Sequence, residues 1–334
     1  FLRKMSESNG VKRIEGKIAE VKQDTDSGFI TSVQLESGTE IAGDFFVDCT
    51  GFRGLLIEQT PKTGYEDWSH WLPCDRAIAV QTESVGAAVP YTQSVAHDSG
   101  WRWRIPLQHR VGNGLVYCSR YISDEDARAT LLNSIQGKTL IEPRLIKFQT
   151  GRRTKSWNRN CVALGLASGF IEPLESTSIH LIMMGVTRLM HLFPFNGVTD
   201  ALMNEYNQIS RIEMEQLRDF IVLHYKTTER EDTPFWEYCK NMEIPETLQH
   251  RIDLFKQSAH AYQANGELFR VDSWTQVMFG QRLMPEHYHH LAQTMNERDL
   301  QRFLSSMQMA IKQAVDKLPI HSDFVKQYCA IASE

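Results

Sequence analysis

The feature that most restricts the fold is a break between two apolar runs. "CVALGLAS" (Cys161 to Ser168) and "HLIMMGV" (His180 to Val186) are split by "GFIEPLESTSI", with two carboxylates, a proline and three consecutive hydroxyl residues. The first run reads as a buried strand that turns at small residues. Pro173 then makes a compact turn, and Ser176, Thr177 and Ser178 are N-cap candidates for a helix through "IHLIMMGVTRLMHLF". The first turn of that helix leaves backbone N–H groups unpaired at the positive end of the dipole, a ready site for a small anion. Glu175, just before it, reads either as a functional base or as a charge complementing the dipole.

The rest of the chain supplies the layers around this unit. Residues 1 to 9 read as a helix end closed by Asn9-Gly10. "VKRIEGKIAEVKQD" alternates as a strand, and "TDSG", "ESGTE" and "IAGD" punctuate a small meander that finishes in "DFFVDCTGFRG". "RAIAVQTE", "WRWRIPL" and "GLVYCSRY" read as further strands, 122 to 140 as helix, "LIKFQTG" as a strand, and helices dominate after Ser176. The expected class is mixed α/β (α+β), with a mostly helical second half interleaved with the first. At 334 residues, 42% hydrophobic and 23% charged, the chain has room for two or three units sharing a large core. The formal net charge of −5 gives no reason to expect a nucleic-acid partner. No apolar run is long enough to span a bilayer, and no secretory signal is expected. Six widely spaced cysteines without a CxxC pair read as reduced, mostly buried thiols of a cytoplasmic protein. The opening "FLRKMSESNG" has no initiating methionine and reads as entering mid-helix, so a fragment is expected.

Several motifs carry two readings each. In "FFVDCTGFRG" a buried strand ends at glycines, Gly51 among them, that let backbone approach a dinucleotide closely; a tight strand-to-loop turn explains them equally well. The phosphate-binding GxGxxG is absent, and "GNG" at 112 to 114 lacks the third glycine. The helix start at Ser176 to Ser178 suits the polar edge of a flavin as well as an anion. Trp101 and Trp103 alternate on a strand, which ordinarily means packing on one face of a sheet. "PEHYHH" lacks a full ligand set and reads as a solvated loop or helix start, so no metal is expected. His180 reads as a packing or hydrogen-bonding residue. Leu304 to Val315 reads as an amphipathic packing face.

"LGLASGFIEPLESTSIHLI" closely resembles the signature stretch of flavin-dependent tryptophan halogenases, and "GWRWRIPL" (Gly100 to Leu107) resembles their WxWxIP motif. "VDCTGFRGLLI" (Val47 to Ile57) and "RDFIVLHYKTTEREDTPFW" (Arg218 to Trp236) match family stretches in the same order. The likeness covers nearly the whole chain but omits the family's first third, with its GxGxxG and catalytic lysine. It implies a partial FAD-binding fold of the glutathione reductase / flavin monooxygenase type. Residues 1–60 would be the second part of the FAD domain, 61–145 a β-rich barrier region, 146–195 a return to the FAD domain, and 196–334 a helical substrate region.

The resemblance further implies that reduced FAD, supplied by a separate flavin reductase, reacts with oxygen and a halide to give hypohalous acid. That acid then reaches a separate aromatic site. Glu175 matches the glutamate that assists substitution of the ring, and Ser176 its neighbouring serine. Thr177 and Ser178 match positions whose amides hold the halide, Ser178 standing where well-known members carry glycine. Leu166 and Ile179 match flavin contacts, and Ile18 matches a strand residue beside the adenine half; Gly51, inside the matched stretch Val47 to Ile57, is the cofactor-binding candidate of the glycine turn. Trp101 and Trp103 match a barrier between flavin and substrate. Trp274 and Phe279 are aromatic candidates in the substrate region, but no paired tyrosines accompany them, so free indole, another small aromatic, or a carrier-bound or peptide-borne indole stay open beside free tryptophan. A homodimer is a further expectation. The rivals are a flavin hydroxylase of the same fold and a non-catalytic fragment.

Overall fold

Where the chain alternates between apolar and polar residues it builds sheets, and where apolar residues recur at helical spacing it builds the helices that cover them. The structure, a computed structural model, describes residues 1–59 and 62–329. The expected boundary at 60/61 and the end of the helical region, 330–334, lie outside the described residues. The fold is mixed α/β, and the chain forms two compact units, 1–66 with 151–170 and 177–212, and 67–150 with 171–176 and 213–334.

In the first unit, Ile18–Gln23, Ile30–Leu35 and Glu40–Ala42 form an antiparallel meander. The strand begins at Ile18 rather than Val11, because its partner Ile30–Leu35 is only six residues long and leaves the earlier residues nothing to pair with. Phe46–Asp48 runs parallel to Cys161–Ala163, which in turn pairs with Trp157–Asn158. Buried Asn160 fastens the meander to this sheet. Its amide oxygen accepts from Ile30 N at 2.9 Å, and its nitrogen donates to the carbonyls of Ile30 and Asp44 at 2.8 and 3.0 Å. Trp157, Val162, Leu164, Leu189 and Tyr206 form one core, drawing in the helix Ser178–His191 and the first half of the helix Asp200–Lys226.

The turn after Phe46–Asp48 is organised by one carboxylate. Asp48, fully buried, accepts from Thr50 N and Oγ1 at 2.9 and 2.6 Å and from Leu56 N and Ile57 N at 2.8 Å each. The last two are amides at the start of the helix Leu55–Gln59, which have no partner within the helix. Gly54 lies at φ +52, and a Cβ there would come within 2.6 Å of Arg153 Nη2. That guanidinium cannot retreat, being bound to Glu58 and to the Phe52, Arg53 and Ala167 carbonyls.

In the second unit, five antiparallel strands stand in the order Arg144–Lys147, Arg76–Thr82, Val111–Tyr117, Gly100–Pro106, Gln93–His97. The helix Asp124–Ser134 covers one face through Ala127 and Leu131 against Ile78, Val80, Leu115 and Tyr117. It is shorter than the expected 122–140: Ser123 caps its start by accepting from Asp126 N, and the backbone turns extended at Ile135. The helices Pro234–Asn241, Glu246–Ser258 and Val271–Gly280 pack with the second half of Asp200–Lys226 around buried Phe220, Phe235, Phe255 and Trp274. Arg251 is buried with them, paired to Glu267 at 2.8 and 2.9 Å and lying 4.2 Å from the Trp274 ring.

Candidate functional site

Proline fixes the geometry of the signature turn. Pro173–Glu175 forms a single tight turn closed by Ser176 N donating to the Pro173 carbonyl at 3.0 Å. Ser176 follows at φ 56, ψ 34, a left-handed conformation that a residue bearing Cβ adopts only at some cost. The helix starts at Ser178 with Thr177 in the cap position, but the Thr177 side chain makes no cap hydrogen bond. The hydroxyls therefore bracket the helix start without satisfying it, and the first-turn amides have no partner within the helix. Thr177 is buried and Ser178 half-buried, while Ile179 is 72% exposed.

Glu175 and Ser176 fall in the second unit, Thr177 and Ser178 in the first. In the second unit Glu175 Oε1 lies 3.0 Å from His224 Nε2. His224 Nδ1 donates to the Phe220 carbonyl one helical turn earlier, at 2.8 Å. His224 and Leu174 open onto a cavity of about 580 Å³, whose other walls include Trp101, Tyr225, Trp236 and Arg282. That volume suits a small aromatic molecule. Trp236 is anchored by donating its indole N–H to the His97 carbonyl at 2.7 Å. The rim charges are matched: Arg282 pairs with Glu229 at 3.0 Å, and Arg230 with Asp232 at 2.7 Å. Hydrogen bonding to Arg230 in turn holds Asp232 below the usual carboxylate range.

Trp101 and Trp103 project from one face of Gly100–Pro106, with ring centroids 6.1 Å apart and planes inclined by 56°. Trp103 lies against Gly114 of the next strand, where a Cβ would sit 2.0 Å from its Cζ2. Trp101 lines the cavity and Trp103 does not. Trp274 is core, and Phe279 packs on Phe255 with centroids 5.2 Å apart; neither lines the cavity.

In the first unit Gly51 has φ +78, and a Cβ there would meet no protein atom. The turn needs glycine for its backbone conformation, while the space beside it is open. Leu166 and Ile179 are exposed apolar side chains, one before and one after the Pro173–Glu175 turn. Ile18 begins the meander, half-buried opposite Leu35. An open glycine turn, exposed apolar surface and helix amides without a partner inside their own helix fit a flat cofactor with a polar edge and an accompanying anion. Among the described residues no cluster of His, Cys, Asp and Glu could hold a metal ion, and no helix is long and apolar enough to cross a membrane. Cys74, Cys118, Cys161 and Cys239 are free and buried; Cys49 and Cys329 are free and exposed.

Sequence reasoning did not single out His224, Tyr225 or Glu172. The first two lie inside the matched stretch Arg218 to Trp236, and the Phe220–His224 spacing of one helical turn is the signal that could have marked the histidine.

Residues 1–297 match the family model for tryptophan halogenase. The tryptophan 6-halogenase SttH of Streptomyces toxytricini is 40% identical over 261 residues, 77% of this chain and 50% of that protein. Among solved structures, the flavin-dependent halogenase Xcc4156 of Xanthomonas campestris is 48% identical with a TM-score of 0.98, covering 100% of this chain and 67% of that one. BrvH, a flavin-dependent halogenase of Brevundimonas sp. BAL3, is 43% identical with a TM-score of 0.94, covering 98% and 67%. The chain spans about half the length of the first of these sequence relatives.

Proposed function

The chain belongs to the tryptophan halogenase family, and from that premise we propose that the whole protein halogenates an indole-type aromatic using reduced FAD, oxygen and a halide. The observation that carries this reading is the Glu175–His224 pair, whose imidazole opens onto an aromatic-walled cavity beside Trp101. When bound, reduced FAD supplies, with oxygen, the oxidising power that converts halide to hypohalous acid.

The residues of this chain then divide the remaining work. Residues 1–60 and 146–195 hold FAD, with contacts from Ile18, Gly51, Leu166 and Ile179; 61–145 form the barrier region and 196–334 the helical substrate region. The amides of Thr177 and Ser178 bind the halide, because an anion needs donors without a competing acceptor. Trp101 and Trp103 screen the aromatic from the flavin. The Glu175 carboxylate stabilises the cationic ring formed on substitution and accepts the proton leaving the ring carbon. His224 holds that carboxylate by one oxygen, and Ser176 assists beside it. A separate flavin reductase is the partner, homodimeric assembly the expected state, and the cytoplasm the expected location.

The test is an assay of the full-length protein with a flavin reductase, bromide and either free indole, a peptide-borne indole or free tryptophan. Brominated indole from at least one of these is the expected product. Hydroxylated indole instead would assign the protein to flavin hydroxylation. No product from folded, FAD-loaded protein would overturn the reading.

A further inference from the structure

Directly behind the cavity wall lies a carboxyl group to which the proposed reaction gives no task. Glu172 opens the Glu-Pro-Leu-Glu turn, is fully buried, and among the described residues has no hydrogen-bond partner of full geometry at either oxygen. Its polar neighbours are the Tyr225 hydroxyl, the Cys74 thiol and the Trp101 indole. Trp101 Nε1 is likewise buried without a partner, and the Tyr225 hydroxyl reaches Cys74 Sγ at 3.7 Å. Trp101 and Tyr225 both line the cavity. One turn of chain thus carries two carboxyls, Glu175 beside His224 and Glu172 behind two aromatic walls.

We propose that Glu172 is a positioning residue that bridges the Trp101 indole N–H and the Tyr225 hydroxyl and so sets where these two walls of the aromatic site stand. The inference rests on the reading of that cavity as the substrate site. An indole N–H can only donate, whereas a phenol both donates and accepts. An un-ionised carboxyl offers one acceptor and one donor and can satisfy both, while a carboxylate offers acceptors alone. Burial favours the un-ionised form, since among the described residues no cation neighbours the group, and it pushes Glu172 up to about 7. The titratable groups around it, Tyr225 on the long helix, Cys74 before the sheet and Cys239 on Pro234–Asn241, are all raised by burial too. They remain neutral and bring no compensating charge. The arrangement resembles in kind a buried acid kept neutral in order to donate a hydrogen bond.

The experiment is indole ¹⁵N–¹H spectroscopy of the full-length protein, with the Trp101 signal assigned by its loss in Trp101→Phe. In the wild type that signal should move between about pH 5.5 and 8.5 with a midpoint near 7, following the carboxyl. In Glu172→Gln, which keeps a donor and an acceptor at neutral charge, it should stay still. A wild-type signal that does not move, or one that still moves in Glu172→Gln, overturns the proposal. In the halogenation assay Glu172→Gln should keep KM within about twofold, and Glu172→Leu should raise KM about tenfold with a smaller change in kcat, the scale of one lost hydrogen bond. An unchanged KM in Glu172→Leu also overturns it. Failure of the wild type to halogenate would defeat the reading of the reaction instead; the Trp101 signal needs no turnover and still decides the place of Glu172.

Discussion

His224 Nε2 stands 3.0 Å from Glu175 Oε1 while Nδ1 of the same ring is fixed to the Phe220 carbonyl at 2.8 Å. Both ring nitrogens face oxygen acceptors, so flipping the ring would put carbon where nitrogen is required. The backbone of the long helix orients the imidazole, and the imidazole orients the carboxyl.

Removing this clamp should slow the chemistry more than it weakens binding. His224→Ala in the full-length protein is expected to lower kcat for halogenation about tenfold to a hundredfold, with KM changed far less. Glu175→Gln should cost at least as much, and the double variant little more than Glu175→Gln alone. Steady-state kinetics of the three variants check this; fully additive losses would show that the two side chains act separately.

Gly114 is the floor under Trp103. Gly114→Ala places a methyl 2.0 Å from Cζ2 and 2.1 Å from Cη2 of the indole, so the ring must lift. The expected cost is about 1–3 kcal/mol of stability, with a changed near-ultraviolet circular dichroism signal. Thermal unfolding and that spectrum, compared with the wild type, provide the check.

Glu172 should leave its mark on stability as a function of pH. Its carboxyl is raised in the folded protein, so the folded state binds more protons than the unfolded chain between the ordinary glutamate range and about 7. Its contribution is therefore fully present below that ordinary range and is lost as pH rises, levelling off above about 7. The fall is on the order of 3 kcal/mol. Urea unfolding from about pH 4.5 to 8 should show this decline, and Glu172→Gln should remove most of it. A parallel decline in both proteins would contradict the assignment.

Asp48 gathers four donors at a buried turn. Asp48→Ala leaves them all without an acceptor and should destabilise the protein by roughly 3–5 kcal/mol. Asp48→Asn keeps one accepting oxygen and should cost less. Chemical denaturation midpoints rank the two.

The parts legible from the sequence were those set by neighbours in the chain. Pro173 and the hydroxyls after it announced the turn and helix at Ser178, and the alternation in "WRWRIPL" announced the strand that carries Trp101 and Trp103. The cap itself was less legible: Ser176 takes up the left-handed bend and Thr177 makes no side-chain bond, an outcome settled by the closure of the proline turn. Strand length failed at Val11 because alternation says nothing about whether a partner strand exists. His224 and Tyr225 look like ordinary residues of an apolar helix, since Glu175 and Glu172 reach them only through the tertiary fold. Glu172 is one of the two carboxylates of the break and nothing beside it in the chain assigns it a place, its complete burial being a property of the packing. Trp274 had the chemistry of a substrate clamp but is taken up by Arg251 in the core.

The carboxylate at Asp48 has a consequence for whatever meets the glycine turn beside it. With Thr50, Leu56 and Ile57 already tied to one anchor, the loop arrives at any encounter with its shape decided during folding. A visitor therefore freezes little backbone when it docks, and the attraction it gains there is not offset by the entropy of organising a floppy host.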